Sequence, residues 1–263
     1  MGEPVVRRSA TAQGLADLVA ASLVDRLRDA QHDGRVPSVA LTGGTIAATV
    51  HRSVAASPDA ASVDWSRVEV FFGDERFVPA DDPDRNALQA TESLLSRLPF
   101  DPARIHPMPA SDGAHPSVDD AARAYDEELR AHGAGGFDVV MLGVGPDGHV
   151  ASLFPGHAQL DVEDAIAVPV ADSPKPPPER VSLTFPALNR GTAVWFLVSG
   201  EGKAEAVARA LATGPDAPDL HDVPAVGVHG RQETVWFLDE ASASLLPAPA
   251  PGGSGGIRAA HRP

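Results

Sequence analysis

The sequence predicts an α/β fold: an open, largely parallel sheet with helices on both faces, a Rossmann-like three-layer sandwich. Three observations point there. Short apolar runs of strand length alternate with stretches of helical periodicity. Most of those runs end in glycine-rich or charged turns, which in open α/β sheets is where ligands bind. The chain has 263 residues, 43% of them apolar, enough to bury a core of that size.

Residues 4–8 read as a first short strand. Residues 12–30 place Leu15, Leu18, Val19, Leu23, Val24 and Leu27 at helical spacing, so an amphipathic helix follows. Residues 36–41 form a short apolar strand, then come Thr42-Gly43-Gly44-Thr45 and a helix over 46–50. Strand, two glycines, a hydroxyl and a helix outline a phosphate cradle. Glycine lets the backbone approach an anion, the helix N-terminus offers N–H groups, and Thr45 adds a hydroxyl. The same residues also suit an ordinary βα turn capped by Thr45. Residues 68–72 make another strand. Asp74-Glu75-Arg76 stands at its end, as a solvated rim or as a binding cluster. A loop rich in proline and aspartate leads to Asn86, which starts a helix to about residue 98. Residues 104–107 suit a short edge strand and residues 118–132 a helix with Tyr125 and Leu129 on one face.

The stretch that organises the chain is FDVVMLGVGPDGHVASLFPG, residues 137–156. An apolar run over 138–142 is broken by Gly143, Gly145, Pro146 and Gly148, and Asp147 and His149 sit inside the break. A buried strand that ends in a glycine-rich turn carrying a histidine reads as a site rather than as a plain turn. Gly143-Val-Gly145-Pro-Asp-Gly148 also matches GxGxxG, with Glu163 and Asp164 near the expected acidic position. A dinucleotide fingerprint must run on into a long helix. Pro155 and Gly156 allow about two turns at most, so no nucleotide cofactor is expected.

Beyond that turn, residues 165–170 are a strand, and Asp172 to Pro178 is a stiff polyproline stretch that carries Lys175. Residues 180–184 and 193–198 are strands. Ser199-Gly200-Glu201-Gly202-Lys203 is a second strand–glycine–helix junction, with its helix running to about residue 212. Residues 223–228 and 234–238 read as the last strands and 239–245 as a closing helix. Residues 1–246 are expected to form one domain and 247–263 a disordered Pro/Gly-rich tail. Because the glycine-rich and charged turns follow strands, they should share one sheet edge and converge on one crevice.

Composition narrows the function. The net charge of −15 argues against nucleic acid or an anionic membrane as the main partner. It leaves room for a small anionic ligand held by a local cluster of cations and N–H groups. With no cysteine, disulfide and thiolate chemistry are excluded, which fits a cytoplasmic protein. The first residues carry no apolar core of signal-peptide type, and no run reaches the length of a membrane span. No histidine pair has HxxxH spacing and Asp147–His149 alone is a poor metal site, so no metal is expected. A monomer or weak homo-oligomer is the expectation for assembly.

Five blocks in order, LTGGT, FFGDERFVPADDPDRN, FDVVMLGVGPDGHVASLFPG, SPKPPPERVSLTFPALN and VSGEGKAEAV, closely resemble the family that holds the 6-phosphogluconolactonases and the glucosamine-6-phosphate deaminases. The resemblance covers about residues 10–245. On the lactonase side it implies hydrolysis of 6-phospho-D-glucono-1,5-lactone to 6-phosphogluconate, with no cofactor. It implies His149 as the general base toward water, a task that suits an imidazole near neutral pH. Asp147 either orients His149 or holds the turn. Gly43, Gly44, Thr45, Arg76 and Lys203 would hold the 6-phosphate, with Arg180 a further candidate. Asp74 and Asn86 would shape the sugar side of the crevice. Lys175 either reaches the site or stays on the surface. The chain departs from the family pattern at Thr45-Ile46-Ala47, where many relatives carry Ser-Pro after the glycines, and at Arg85, where serine is common. The deaminases resemble GxDGHIAFNEP at the histidine turn, with a glutamate five residues after the histidine. Here that residue is Phe154, which cannot relay a proton. A non-catalytic sugar-phosphate sensor is the other alternative; it would keep the cradle and could dispense with His149.

Overall fold

The structure is a computed structural model that describes residues 3–132, 136–215 and 217–248. Most of the expected Pro/Gly-rich tail, residues 249–263, lies outside the described residues. Among the described residues there are nine strands: β1 Val5–Ser9, β2 Ser38–Leu41, β3 Glu69–Phe72, β4 Asp74–Arg76, β5 Val139–Leu142, β6 Ala167–Val170, β7 Arg180–Leu183, β8 Ala193–Val198 and β9 Glu233–Asp239. The α-helices are α1 Ala12–His32, α2 Thr45–Ala55, α3 Asn86–Ala90, α4 Val118–Ala131, α5 Phe185–Leu188 and α6 Ala204–Ala210.

Six strands form one wholly parallel sheet in the order β1-β9-β8-β5-β2-β3. Every residue of β5 and β8 is buried. Continuous apolar strands are what a parallel sheet covered on both faces requires. From β2 the chain moves outward to β3, and from β5 it moves the opposite way to β8 and β9. Right-handed crossovers then send the connecting helices to opposite faces. α1 and α2 pack against each other, and α1 lies against β1 and β9. β2 and β5 are neighbours whose loops leave in opposite directions, so the crevice between their carboxyl ends is the topological switch point.

The outer edge of β3 is closed by side chain and backbone. The Phe72 N–H donates to the Tyr125 hydroxyl at 3.0 Å, and the His106 N–H donates to the Val70 carbonyl at 2.8 Å. Groups that would otherwise template another strand are thereby paired.

Several elements differ from the sequence reading. Residues 74–76 are a strand, not a rim, and β4 joins β7 and β6 in a separate antiparallel sheet in the order β4-β7-β6. β6 and β7 are joined by the proline stretch rather than by a helix, and without a crossover neighbouring strands run antiparallel. Residues 104–107 make only an isolated bridge, Ile105 to Val70. The helix from Asn86 passes after Ala90 into a π-helical turn, Thr91–Leu95. Residues 223–228 are not a strand but a 3-10 turn, Pro224–Gly227, since Pro224 has no N–H for a ladder. Residues 239–245 form no helix. Asp239 ends β9 and turns follow, a segment too short to repay helix nucleation. No helix among the described residues is long and apolar enough to cross a membrane.

Candidate active site

Three loops of the parallel sheet open on the switch point. The loop after β2 leads into α2, with Gly44 as N-cap at φ 96° and no side-chain cap. The N–H groups of the first turn of α2 therefore point outward, beside the exposed Thr45. The loop after β8 repeats the device. Gly200, at φ 97°, caps a 3-10 turn, Glu201–Lys203, that runs into α6. Its N–H donates to the Asp239 carboxylate at 3.1 Å.

The loop after β5 carries His149 and Asp147. The Gly145 N–H donates to the His149 carbonyl at 2.9 Å, and the Gly148 N–H to the Gly145 carbonyl at 3.0 Å. This tight turn brings His149 Nδ1 into a hydrogen bond with Asp147 Oδ1. A Cβ at residue 145 would lie 2.0 Å from His149 Nδ1 and 2.3 Å from Asp147 Oδ1, so only glycine leaves room for the pair. Ala151, just beyond, has a positive φ of 49°, rare for a residue with a side chain. The His149 ring rests on Phe154, with centroids 4.5 Å apart. Burial by itself raises the Asp147 carboxyl. The hydrogen bond from His149 and the charges of His149 and Lys175 outweigh it and hold Asp147 well below the usual carboxylate range. Lys175 Nζ stands 4.0 Å from Asp147 Oδ1. Lys203 Nζ donates to the Val144 carbonyl at 2.7 Å, on the same loop. Burial first, and then the Lys175 ammonium, push Lys203 below the ordinary lysine value, while Asp147 pulls the other way.

The small antiparallel sheet forms the opposite wall. Asp74, buried, takes the Ser152 hydroxyl at 2.7 Å on Oδ2, which ties the loop after His149 to β4. Asn86 Nδ2 donates to the Asp74 carbonyl at 2.8 Å, and Asn86 Oδ1 accepts from Arg76 Nη1 at 2.6 Å. A Cβ at Gly43 would meet Asn86 Oδ1 at 1.8 Å, so the cradle loop and Asn86 are in direct contact. Asn86 thus spends its amide on protein groups. Arg76 Nε is buried without a hydrogen-bond partner. Arg180 is buried over the Phe154 ring and donates to the Lys175 carbonyl at 2.9 Å and the Pro177 carbonyl at 3.2 Å. It holds the proline loop that carries Lys175.

Contacts therefore run unbroken from Gly43 through Asn86, Arg76, Asp74 and Ser152 to the β5 loop, and from there to Lys175 and Lys203. Gly44 and Thr45 follow Gly43 directly at the mouth. Sequence reasoning missed Glu75 and Arg85. The buried Glu75 carboxylate accepts the N–H groups of Arg76, Asn86 and Ala87 at 2.8, 2.7 and 2.8 Å, and faces Arg85 Nη2 at 3.7 Å. Burial raises Glu75 above the usual carboxylate value, against the pull of Arg85 and those three N–H groups. Arg85 fills this space and also donates to the Met108 carbonyl at 2.6 Å. The one signal in sequence was the run of charges flanked by apolar residues. Ser152 gave no signal.

Fold and site together define a class: an α/β protein whose switch-point crevice pairs a carboxylate-held imidazole with helix N-termini and clustered cations, a setting for an anionic small molecule. Residues 10–236 match the family described as glucosamine-6-phosphate isomerases/6-phosphogluconolactonase. The chain belongs to that family. It is 46% identical over 241 residues to a 6-phosphogluconolactonase of Streptomyces coelicolor, covering 89% of this chain and 91% of that one. A 6-phosphogluconolactonase of Mycobacterium tuberculosis is 45% identical over 216 residues, covering 80% of this chain and 85% of that one. The crystal structure of 6-phosphogluconolactonase from Thermotoga maritima superposes with a TM-score of 0.77 at 29% identity, over 90% of this chain and all of that one. A monomeric glucosamine-6-phosphate deaminase, at 19% identity and TM-score 0.75, shares the fold over 92% of this chain and 99% of that one.

Proposed function

We propose that this chain hydrolyses 6-phospho-D-glucono-1,5-lactone to 6-phosphogluconate, the lactonase step of the oxidative pentose phosphate pathway. The observation that carries this reading is the His149–Asp147 pair, set beside cations at the switch point of a chain whose relatives are named lactonases. A carboxylate only accepts, so the hydrogen bond to Asp147 puts the proton on Nδ1 and leaves the lone pair on Nε2. Nε2 takes a proton from water as the oxygen attacks the lactone carbonyl carbon. The tetrahedral intermediate collapses by breaking the bond to the ring oxygen, which leaves with the proton that Nε2 returns. One water is consumed and one carboxylic acid is made. Asp147 is a positioning residue that fixes the tautomer.

The phosphate dianion is assigned to the α2 N-terminus at Gly43-Gly44-Thr45, together with Arg76 and Lys203. Two lysines crowded near one carboxylate are relieved by an anion between them, which supports this placement. Arg180 and Asn86 act one step back, on the Lys175 loop and on Arg76, and Asp74 anchors the wall. A deaminase reading loses support at Phe154, which packs on His149 where a proton-relaying acid would be needed. The experiment is a paired assay. Freshly generated lactone should release acid far faster with the protein than without it, and glucosamine 6-phosphate should release no ammonia. Ammonia release, or acid at only the enzyme-free rate, would overturn the proposal.

A further inference from the structure

On the outer edge of the parallel sheet, on elements that do not line the crevice, lies a second cluster of ligand-type side chains. His106, Glu128 and His132 each place one donor atom within 4.8 Å of the other two. We propose that these three residues form a binding site for a divalent transition metal of the zinc type, separate from the catalytic crevice and independent of the reaction assigned there.

The donor chemistry is that of zinc: two imidazoles and one carboxylate, with the remaining position left to water. Glu128 and His132 are four residues apart at the end of α4, so they share one helix face. His132 is the C-cap of α4, where the helix carbonyls favour a cation. The opposing ligand is rigid. His106 is buried, and its ring stacks on Phe71 with centroids 4.4 Å apart and planes 8° from parallel.

Outer partners fix both imidazoles. His106 Nε2 lies 2.8 Å from Glu69 Oε2, and Glu69 is in turn paired with Arg104. Its Nδ1 faces Glu128 Oε1 at 2.8 Å. His132 Nδ1 lies 2.8 Å from the Glu128 carbonyl. A carbonyl oxygen only accepts, so Nδ1 of His132 carries the proton and the lone pair is on Nε2. A histidine whose far nitrogen is held by a carboxylate or a backbone carbonyl is the outer arrangement of protein zinc sites. Tetrahedral zinc with bonds of about 2.0–2.1 Å needs donor atoms about 3.3 Å apart. His106 and Glu128 are already near that, and the His132 ring lies 4.4 Å from the His106 ring, centroid to centroid. Zinc would take the Nδ1 lone pair of His106 in place of its contact with Glu128. The competing account is a metal-free cluster in which His106 bridges the Glu69 and Glu128 carboxylates.

The probe is Zn²⁺ alone, titrated into the EDTA-stripped, untagged full chain. Wild type should bind one zinc per chain, and zinc should raise its melting temperature. His132→Gln and Glu128→Gln should each weaken binding by more than the ~10–100-fold that loss of an outer partner costs. His149→Ala should bind zinc as wild type does. Co²⁺ in place of zinc should give a visible d–d spectrum that both ligand variants lose. Excess Mg²⁺, which prefers all-oxygen sites, should not displace zinc. Absence of stoichiometric binding, equal binding by both ligand variants, loss in His149→Ala, or displacement by Mg²⁺ would each overturn the proposal.

Discussion

The end of β5 and the strand β4 bring charge into the same crevice by opposite means. At β5 the charged residues are sequence neighbours. A glycine turn folds Asp147 onto His149, and both stay half-buried. At β4 Asp74 and Glu75 are buried themselves, and their partners come from afar: Ser152 for Asp74, and Arg85 with the Asn86 and Ala87 backbone for Glu75. On the proposed mechanism, the difference separates chemistry from scaffolding. Changes at β5 should alter turnover and spare the fold. Changes at β4 should first cost stability or ligand affinity.

The largest effect tests the β4 side. Glu75→Ala leaves three backbone N–H groups and the Arg85 guanidinium without their buried carboxylate. The expected loss is about 3–5 kcal/mol in urea unfolding. An unfolding midpoint like that of wild type would break the comparison. Gly145→Ala tests the β5 side in mirror image. Its Cβ displaces the His149–Asp147 pair, and misplacement on the ångström scale costs on the order of 10²-fold in rate. Steady-state turnover should fall by that much while the melting temperature holds.

Arg76→Gln comes next. It removes one charged donor from the proposed anion site, a loss of ~1.5–3 kcal/mol, or about 10–150-fold in affinity. Calorimetric titration with 6-phosphogluconate should show it, with turnover at saturation changed less. The smallest effect at neutral pH is at His51, away from both walls. Burial first, and then Arg52, lower it to about 4, below its ordinary value of about 6.5. Below ~6.5 the unfolded chain binds a proton that the folded chain refuses until about 4, so stability falls as pH drops through that window. Stability measured across it should be flatter in His51→Gln, and identical slopes would show that His51 is not its source.

The same contrast explains what could be read in advance. The strands and loops at β2, β5 and β8 were legible because apolar runs ending in glycine are local signals. Their convergence followed from strand polarity alone. The antiparallel sheet was not legible. Residues 74–76 read equally as a solvated rim or a binding cluster, since nothing near them in sequence shows that Glu75 will meet Arg85 in a buried pocket. Residues 223–228 have the composition of a strand, but Pro224 and the Ala225 N–H bond to the Gly148 carbonyl make them a buttress for the histidine turn. The cluster at His106 escaped for the same reason, because its ligands come from a loop and a helix joined only by the fold.

The most direct test of the division of labour is to compare wild type with His149→Ala on freshly generated 6-phosphogluconolactone, together with the affinity of each for 6-phosphogluconate. Turnover should fall by ~10²–10⁴, the worth of a general base, while product affinity stays near the wild-type value. Turnover that survives the substitution, or product affinity that collapses with it, would show that His149 is not the base and that the two walls do not divide chemistry from binding.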